Sequence, residues 1–283
     1  MSDTRESAIR LESSATPLCA MLYEPAGPPA GAVLLCDPIF EERKSAGRAL
    51  VETARYLCAR GFTVLRCDYR GCGDSAGEFG DFTVDDWLAD VASAAACLRD
   101  RTGGAPCALL GLRFGATLAL LAAARGLGAE AVVLWEPVLR GKEYVEQELR
   151  KKLMKEMVTT GGSTSRRGEL LATLQADGGV VDFDGYALTT GLYRSLSTAD
   201  LLQAGPGAPR AAFIVSINAQ GANAPHALRL QSALAAAGTA VELSAVREQP
   251  FWNLIGYVDC TALIQLTADW LHRRLAAGAP PEH

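Results

Sequence analysis

Short, nearly continuous runs of apolar residues recur along the chain and alternate with longer stretches in which apolar residues return every three or four positions. The short runs are typical of strands buried on both faces of a parallel sheet, and the longer stretches are typical of helices packed against it. The alternation therefore predicts an α/β fold with a mostly parallel central sheet and helices on both faces. We predict strands at residues 32–36, 63–67, 108–110, 131–134, 212–217 and 240–244, and helices at residues 45–60, 84–101, 116–125, 226–237 and 261–276.

This alternation is interrupted between residues 140 and 207. A charged amphipathic helix at residues 143–157 is followed there by a second helical stretch at residues 187–202. We therefore predict a helical cap insertion at residues 140–207, while residues 1–139 and 208–283 form the α/β core. An antiparallel strand at residues 17–23 is expected to precede the parallel sheet.

One connection between a predicted strand and a predicted helix reads Gly111-Leu112-Arg113-Phe114-Gly115. Glycines on both sides of a central residue are typical of a tight strand-to-helix turn, with the central side chain projecting from its apex. In the G-x-S-x-G elbow of α/β-hydrolases, the central residue is a nucleophilic serine. Arg113 occupies this position here, and an arginine stays cationic at neutral pH. The segment therefore predicts the turn without the serine chemistry.

Further segments carry a resemblance to one family. Residues 68–75, with the sequence DYRGCGDS, resemble the D-x-R-G-x-G-x-S turn of the serine-aminopeptidase-like group of α/β-hydrolases. Other segments narrow the resemblance to the exosortase-A-associated hydrolase-like proteins: residues 40–45, 134–138, 184–188 and 249–252. The resemblance covers nearly the whole chain and implies an α/β-hydrolase fold with a helical cap.

A serine hydrolase of this fold requires a nucleophile, an acid and a histidine in that order along the chain. Arg113 stands at the first position. The resemblance places the acid in the loop at residues 218–225, which contains no carboxylate, and the histidine near Pro250, where there is none. His226, which opens the following helix, is a candidate for catalysis. Cys36 and Cys72 lie near the predicted cleft, but no paired base is visible beside either thiol.

Two roles for Arg113 remain open. As an anion receptor, its guanidinium would act with the backbone N–H groups of Phe114 and of Ile39 or Phe40, and Trp135 and Trp252 would line the pocket. As an internal plug, Arg113 would pair with a carboxylate of the protein itself, because an unpaired buried cation is costly. The carboxylates predicted on loops at this edge are Glu41, Glu42, Glu136 and Glu248.

Composition narrows the classes of partner. The net charge of −5 and the isoelectric point near 5.4 argue against binding to nucleic acid or an anionic membrane. No stretch is long and apolar enough for a membrane span, and residues 1–14 lack the apolar segment of a secretory signal. Eight cysteines without a C-x-x-C pair favour reduced thiols in a cytoplasmic protein, and with three histidines we expect no metal site. No cofactor is expected, and the sequence leaves the oligomeric state open.

These observations favour an α/β-hydrolase-fold protein without the Ser-His-Asp triad, in which Arg113 at the elbow binds a small anionic molecule or a protein partner. An enzyme with repurposed chemistry is the alternative. Its reaction would be of lyase, transferase or cyclase type on a carboxylate- or carbonyl-bearing small molecule, with Glu41 or Glu248 in acid–base roles. A hydrolase with a displaced catalytic set is a further alternative.

Overall fold

The computed structural model describes residues 4–13, 16–160, 166–203, 207 and 209–275. Over these residues the chain forms ten strands and eight α-helices. The strands are β1 (Arg5–Ser13), β2 (Thr16–Glu24), β3 (Gly31–Cys36), β4 (Phe62–Cys67), β5 (Cys107–Leu112), β6 (Ala131–Trp135), β7 (Val180–Phe183), β8 (Tyr186–Thr189), β9 (Ala211–Asn218) and β10 (Ala240–Arg247). The helices are α1 (Glu41–Ala59), α2 (Val84–Arg101), α3 (Phe114–Ala124), α4 (Gly141–Thr160), α5 (Arg167–Gln175), α6 (Thr190–Thr198), α7 (Pro225–Ala236) and α8 (Thr261–Leu275).

Eight of the strands form one twisted sheet in the order β1-β2-β4-β3-β5-β6-β9-β10. The β1–β2 and β2–β4 pairs are antiparallel, and the other neighbouring pairs are parallel. The predicted mostly parallel sheet is therefore confirmed. Because six parallel strands end at one edge, the loops that follow them meet there, and this edge is where ligands bind in open α/β sheets.

Helices cover both faces of the sheet, as the sequence predicts. Trp87 of α2 and Leu230 of α7 are fully buried on one face, and Leu50 of α1 and Trp270 of α8 are fully buried on the other. All six residues of β3 are buried, which explains its continuous apolar sequence. In the part of the chain that the structure describes, no helix has the length and apolarity needed to cross a membrane.

The structure differs from the sequence-based expectation at two places near the start of the chain. β1 was not expected, because its sequence alternates charged and apolar residues at the exposed edge of the sheet. Helix α1 begins at Glu41, four residues before the predicted start, so Glu41 and Glu42 lie in its first turn and not on a loop. Acidic residues are favourable there because of the helix dipole.

The segment between β6 and β9 contains α4, α5, the β7–β8 hairpin and α6. The hairpin occupies the beginning of the helix predicted at residues 187–202. Asp184 and Gly185, both with positive φ, form its turn, and an Asp-Gly pair is a strong hairpin signal that the helical interpretation overlooked. Residues 161–165, in the middle of the predicted insertion, lie outside the described residues.

The segment enters and leaves the core through one narrow connection, which we call the neck. Arg140 and Asp200 form an isolated antiparallel bridge. On either side of it, Gly141 N donates to Ala199 O at 2.8 Å, and Leu201 N donates to Leu139 O at 2.8 Å. Beyond the neck, α4 runs across the carboxyl edge of the sheet and brings its first turns over Arg113.

Candidate functional site

Arg113 lies between the last residue of β5 and the first residue of α3 with φ 56° and ψ −121°. A non-glycine residue in this region is strained and is held there by its surroundings. A Cβ on Gly111 would overlap the backbone of Gly115 and Ala116, and a Cβ on Gly115 would overlap the carbonyl oxygen of Cys36. Both glycines are therefore required for α3 to approach the end of β3. The sharp turn predicted from the sequence is present.

The side chain of Arg113 is paired inside the protein. Its Nε donates to Glu42 Oε1 at 3.1 Å, and its Nη1 donates to the carbonyl oxygen of Glu136 at 3.4 Å. The Arg113 side chain is 14 % exposed and that of Glu42 is 2 % exposed. Of the four carboxylates expected near Arg113, Glu42 is the one that forms the ion pair.

Aromatic rings and a second cation complete this arrangement. The guanidinium lies 5.4 Å from the ring centre of Trp252 and 5.8 Å from that of Tyr144. Tyr144 Oη donates to Glu42 Oε2 at 3.0 Å, and Lys151 Nζ lies 3.5 Å from Glu42 Oε1. We call Glu42, Arg113, Tyr144, Lys151 and Trp252 the elbow cluster.

The charges within the elbow cluster are well defined. Burial lowers the pKa of Arg113, but the charge of Glu42 and its hydrogen bond outweigh this effect and hold the pKa above its usual value. Burial, together with the charge of Glu42, raises the pKa of Tyr144 well above its usual value, so its hydroxyl remains a hydrogen-bond donor. The cluster is thus a buried ion pair with a neutral phenol bound to its carboxylate.

Glu136 and His226 form a second pair beside the elbow. Glu136 follows β6 with φ 45°, and its Oε2 accepts a 2.7 Å hydrogen bond from Ile217 N of β9. His226 Nε2, in the first turn of α7, lies 3.1 Å from Glu136 Oε1. The histidine side chain is 28 % exposed, whereas the Glu136 side chain is 12 % exposed. A carboxylate fixed by a backbone amide and facing an imidazole is able to orient that ring.

Arg113 and His226 both line a pocket of about 230 Å³, which we call the elbow pocket. Arg140 and Arg229 also line it, and Glu143 is the carboxylate on its wall. The carboxylates paired with Arg113 and His226, Glu42 and Glu136, lie behind the wall. Arg140 pairs with Glu143 at 3.0 Å and with Asp200 at 3.5 Å, so Arg229 is the cation on this lining that is most available to a small anion.

The structure places the other predicted site residues in different surroundings. The side chains of Ile39, Phe40 and Phe114 are fully or almost fully buried, so these positions present only backbone groups to a ligand. Trp135 was expected to line the pocket, but it is fully buried on the opposite face of the sheet, where its Nε1 donates to Thr267 Oγ1 at 3.0 Å. Because side chains alternate along a strand, Trp135 at the end of β6 points toward α8.

Glu41 and Glu248 do not contact Arg113. Glu41 pairs with Lys44 at 3.3 Å, and its side chain is 44 % exposed. Glu248 faces the first turn of α8, where hydrogen bonds from Cys260 and the Leu263 backbone reach it, and burial raises its pKa above the usual value. Neither residue lines the elbow pocket.

The cysteine thiols and the possible metal ligands of the described residues determine whether thiol or metal chemistry is available at this edge. All eight cysteines are free. Burial raises the pKa of the Cys72 thiol to about 12 and raises that of Cys36 still further, so both remain protonated at neutral pH. Among the described residues, no three histidine, cysteine, aspartate or glutamate side chains are grouped so as to hold a metal ion.

Sequence reasoning missed the contribution of α4. The helix predicted at residues 143–157 contains both Tyr144 and Lys151, but neither was expected at the site. A signal for Tyr144 was present, since a tyrosine among buried positions needs a partner for its hydroxyl. Nothing in the sequence pointed to Lys151, because its position depends on how α4 crosses the sheet edge.

Comparisons with known proteins agree with this architecture. The sequence pattern of the family described as serine aminopeptidase, S33, matches residues 28–184, from before β3 to the end of β7. Est1E from Butyrivibrio proteoclasticus, solved with ferulic acid bound, is similar with a TM-score of 0.68 and 17 % identity over 95 % of this chain and 100 % of that one.

Two further solved structures resemble the chain. The esterase Pf2001 from Pyrococcus furiosus has a TM-score of 0.66 and 13 % identity over 96 % of this chain and 91 % of its own. XC6422 from Xanthomonas campestris, described as an α/β serine hydrolase without a lid, has a TM-score of 0.58 and 16 % identity over 98 % and 97 % of the two chains. At these identities the likeness shows the fold alone, which is that of the α/β-hydrolases. No curated protein matches the chain significantly.

Proposed function

We propose, because this chain belongs to the serine aminopeptidase (S33) family of α/β-hydrolases, that it is a non-hydrolytic member which binds a small anion beside its elbow. The buried ion pair between Arg113 and Glu42 is the observation that carries the non-hydrolytic part of this proposal. A guanidinium at the apex provides no nucleophile, and its pairing with Glu42 fills the space above the turn.

The remaining positions of a serine triad support the same conclusion. The loop after β9 contains Asn218, whose amide side chain caps its own loop through Gln220 N and Ala222 N. The segment after β10 has Pro250 where the resemblance expects a histidine, and a short 3₁₀ turn follows at Phe251–Asn253. With no acid or base at these two positions, a serine at residue 113 would lack an activating partner.

The elbow pocket supplies the proposed binding activity. Arg113, Arg140 and Arg229 line it together with His226, and Arg229 forms no ion pair with any described residue. The first turns of α4 and α7 also border the pocket, so the helix dipoles add to its preference for anions. A volume of about 230 Å³ suits a small carboxylate or phosphate. A protein partner that presents such a group is the other form of the same proposal.

Two measurements test the proposal. We expect no labelling by a fluorophosphonate probe and no hydrolysis of p-nitrophenyl butyrate above background. Calorimetric titration with inorganic phosphate and with succinate should show binding that Arg229→Ala weakens about fivefold or more. Arg210→Ala is the matched control, because Arg210 is exposed and lies beside Glu130 at the amino ends of β6 and β9, away from the carboxyl edge that holds the pocket. Stoichiometric serine labelling, or equal anion binding by both variants, would contradict the proposal.

A second candidate function rests on the Glu136–His226 pair. A histidine 3.1 Å from a largely buried carboxylate and next to an arginine suits a general acid or base acting on a carboxylate or carbonyl compound. This arrangement would serve a lyase, transferase or cyclase, or a hydrolase with a displaced catalytic set. NMR assays with a panel of small esters, thioesters and 2-oxo acids would favour it if turnover is lost in both His226→Gln and Glu136→Gln. Turnover that survives both substitutions would exclude it.

A further inference from the structure

A larger cavity, of about 550 Å³, lies at the same edge of the sheet but beyond β3 and β4. The β1–β2 hairpin forms one wall, and Arg43 of α1 and the turn after β4 form the other. We call it the hairpin cavity. Arg113 and the rest of the elbow cluster do not line it, so it is a separate site from the elbow pocket.

Two arginines and two aspartates form the base of the hairpin cavity. Arg66 donates from Nε and Nη2 to both carboxylate oxygens of Asp37, at 2.6–3.0 Å. Arg43 Nη2 donates to Asp68 Oδ1, and the backbone N–H of Asp74 donates to Asp68 Oδ2 at 3.0 Å. The carboxylate oxygens of Asp37 and Asp68 are therefore already occupied by donors, and the exposed Asp74 side chain is the remaining carboxylate on the cavity lining.

The guanidinium N–H groups of Arg43 and Arg66 outnumber the hydrogen bonds that Asp37 and Asp68 accept from them. Arg43 Nε is buried and lies 3.7 Å from Asp37 Oδ2, and it has no hydrogen-bond acceptor among the described residues. The Nη1 groups of Arg43 and Arg66 also make no hydrogen bond within the described part of the chain. Arg10 of β1 lines the cavity from the other side and forms no ion pair with a described residue. The Nη1 donors of Arg43 and Arg66 and the guanidinium of Arg10 therefore favour a ligand that brings acceptor oxygens to this cavity.

Both buried arginines keep their charge. Burial lowers the pKa of Arg66, but the charge and hydrogen bonds of Asp37 outweigh burial and raise it above the usual value. In Arg43 the charges of Asp68 and Asp37 likewise outweigh burial and raise the pKa. Their spare donors are therefore charge-assisted.

The remaining wall is apolar. Ala8 and Met21, which pair across β1 and β2 on the sheet face that carries Arg66, add apolar side chains to the hairpin cavity, while the side chains of Ile9 and Ala20 point to the opposite face. Ligand sites commonly combine an apolar lining with a few convergent polar groups, and about 300–1,000 Å³ is their usual volume. The cavity is thus able to enclose an apolar body as well as a charged group.

Residues of two sequence motifs meet at this place, and the elbow cluster uses only Glu42 of the first motif. Arg43 comes from the segment at residues 40–45, and Asp68, Gly73 and Asp74 come from the segment at residues 68–75. Gly73 has φ 55°, and a Cβ there would overlap the side chains of Asp68 and Arg43. The glycine therefore lets the turn after β4 close onto the ion pair, so both motifs build the same wall.

We propose that the hairpin cavity binds an organic anion, in which a carboxylate, phosphate or sulfonate contacts Arg10, Arg43 and Arg66 while an apolar body lies against Ala8 and Met21.

Anilinonaphthalene sulfonate, which joins a sulfonate to an apolar aromatic body, is a suitable probe for the full chain. Fluorescence titration should show one site per chain that Arg10→Ala weakens about fivefold or more. Arg5→Ala is the matched control, because Arg5 is on the same strand but, five positions away, faces the other side of the sheet. Met21→Trp should fill the cavity and abolish binding, with circular dichroism used to confirm that the variant is folded.

Probe binding at the hairpin cavity and phosphate binding at the elbow pocket are tested by different variants, so each proposal is able to fail without the other. Arg229→Ala should leave probe binding unchanged, because Arg229 belongs to the elbow pocket. Loss of phosphate binding at the elbow pocket would leave the present inference standing. Absence of probe binding, or binding that Arg10→Ala and Met21→Trp both leave intact, would overturn it. Displacement of the probe by butyl phosphate but not by hexanoate would assign the site to phosphates, and the reverse result would assign it to carboxylates.

Discussion

Replacing Arg113 by methionine should destabilise the protein by about 3–5 kcal/mol, the cost of leaving one partner of a buried ion pair uncompensated. The structure indicates why the loss should be large. Glu42 is 2 % exposed and would retain the Tyr144 hydroxyl at 3.0 Å and Lys151 at 3.5 Å. Lys151 is 44 % exposed, so solvent screens its charge, and it cannot replace the guanidinium.

Urea unfolding followed by circular dichroism measures this change. With an m-value of about 3 kcal/mol per molar, the midpoint should fall by about 1 M or more. The double variant Arg113→Met/Glu42→Met should be more stable than Arg113→Met alone, because it removes the unpaired carboxylate as well. Arg48→Met is the control, since the Arg48–Glu52 pair lies in solvent and its loss should leave the urea midpoint almost unchanged. A cost below about 1 kcal/mol for Arg113→Met would refute the internal pairing.

Three further predictions concern activity, pH and backbone geometry. Arg113→Ser should not hydrolyse p-nitrophenyl butyrate above background, and measurable turnover would mean that the Glu136–His226 pair beside the elbow activates the serine. Burial, together with the charge of Glu42, raises the pKa of Glu148 above 4.5, so the folded state holds its proton more tightly than the unfolded state and loses stability as pH rises above that value. Glu148→Gln should therefore gain stability relative to the parent protein between about pH 4 and pH 7 in urea titrations, and a gain that is independent of pH would contradict the assignment. Gly115→Ala should lower the thermal midpoint strongly because its Cβ overlaps the loop after β3, whereas Gly168→Ala in α5, where nothing lies within 4 Å of the added Cβ, should be nearly neutral.

The sequence predicts the parts of this fold that depend on local pattern. Buried parallel strands such as β3 are continuous apolar runs, and the glycines at 111 and 115 mark a turn that few other sequences allow. β1 escaped prediction because an exposed edge strand alternates charged and apolar residues and has no continuous run. The β7–β8 hairpin escaped because its strands are four residues long and run directly into α6.

The candidate site was harder to predict because it depends on distances between elements. Four carboxylates were equally available to Arg113, and the choice of Glu42 follows from where α1 begins and which way its first turn faces. Trp135 was placed at the correct edge but on the wrong face, since its orientation depends on the register of β6. Pairings that join residues about a hundred positions apart, such as Tyr144 with Glu42, leave no trace in local periodicity.

The neck described above gives the segment between β6 and β9 the character of an exchangeable module. Because Arg140 and Asp200 lie side by side, the chain returns to the core at almost the point where it departs. The entropic cost of closing this segment grows only slowly with its length. A longer or shorter segment therefore need not displace β6 or β9. One sheet is thereby able to carry covers of different size and sequence, and the surroundings of the apex residue are free to diverge while the scaffold beneath it is retained.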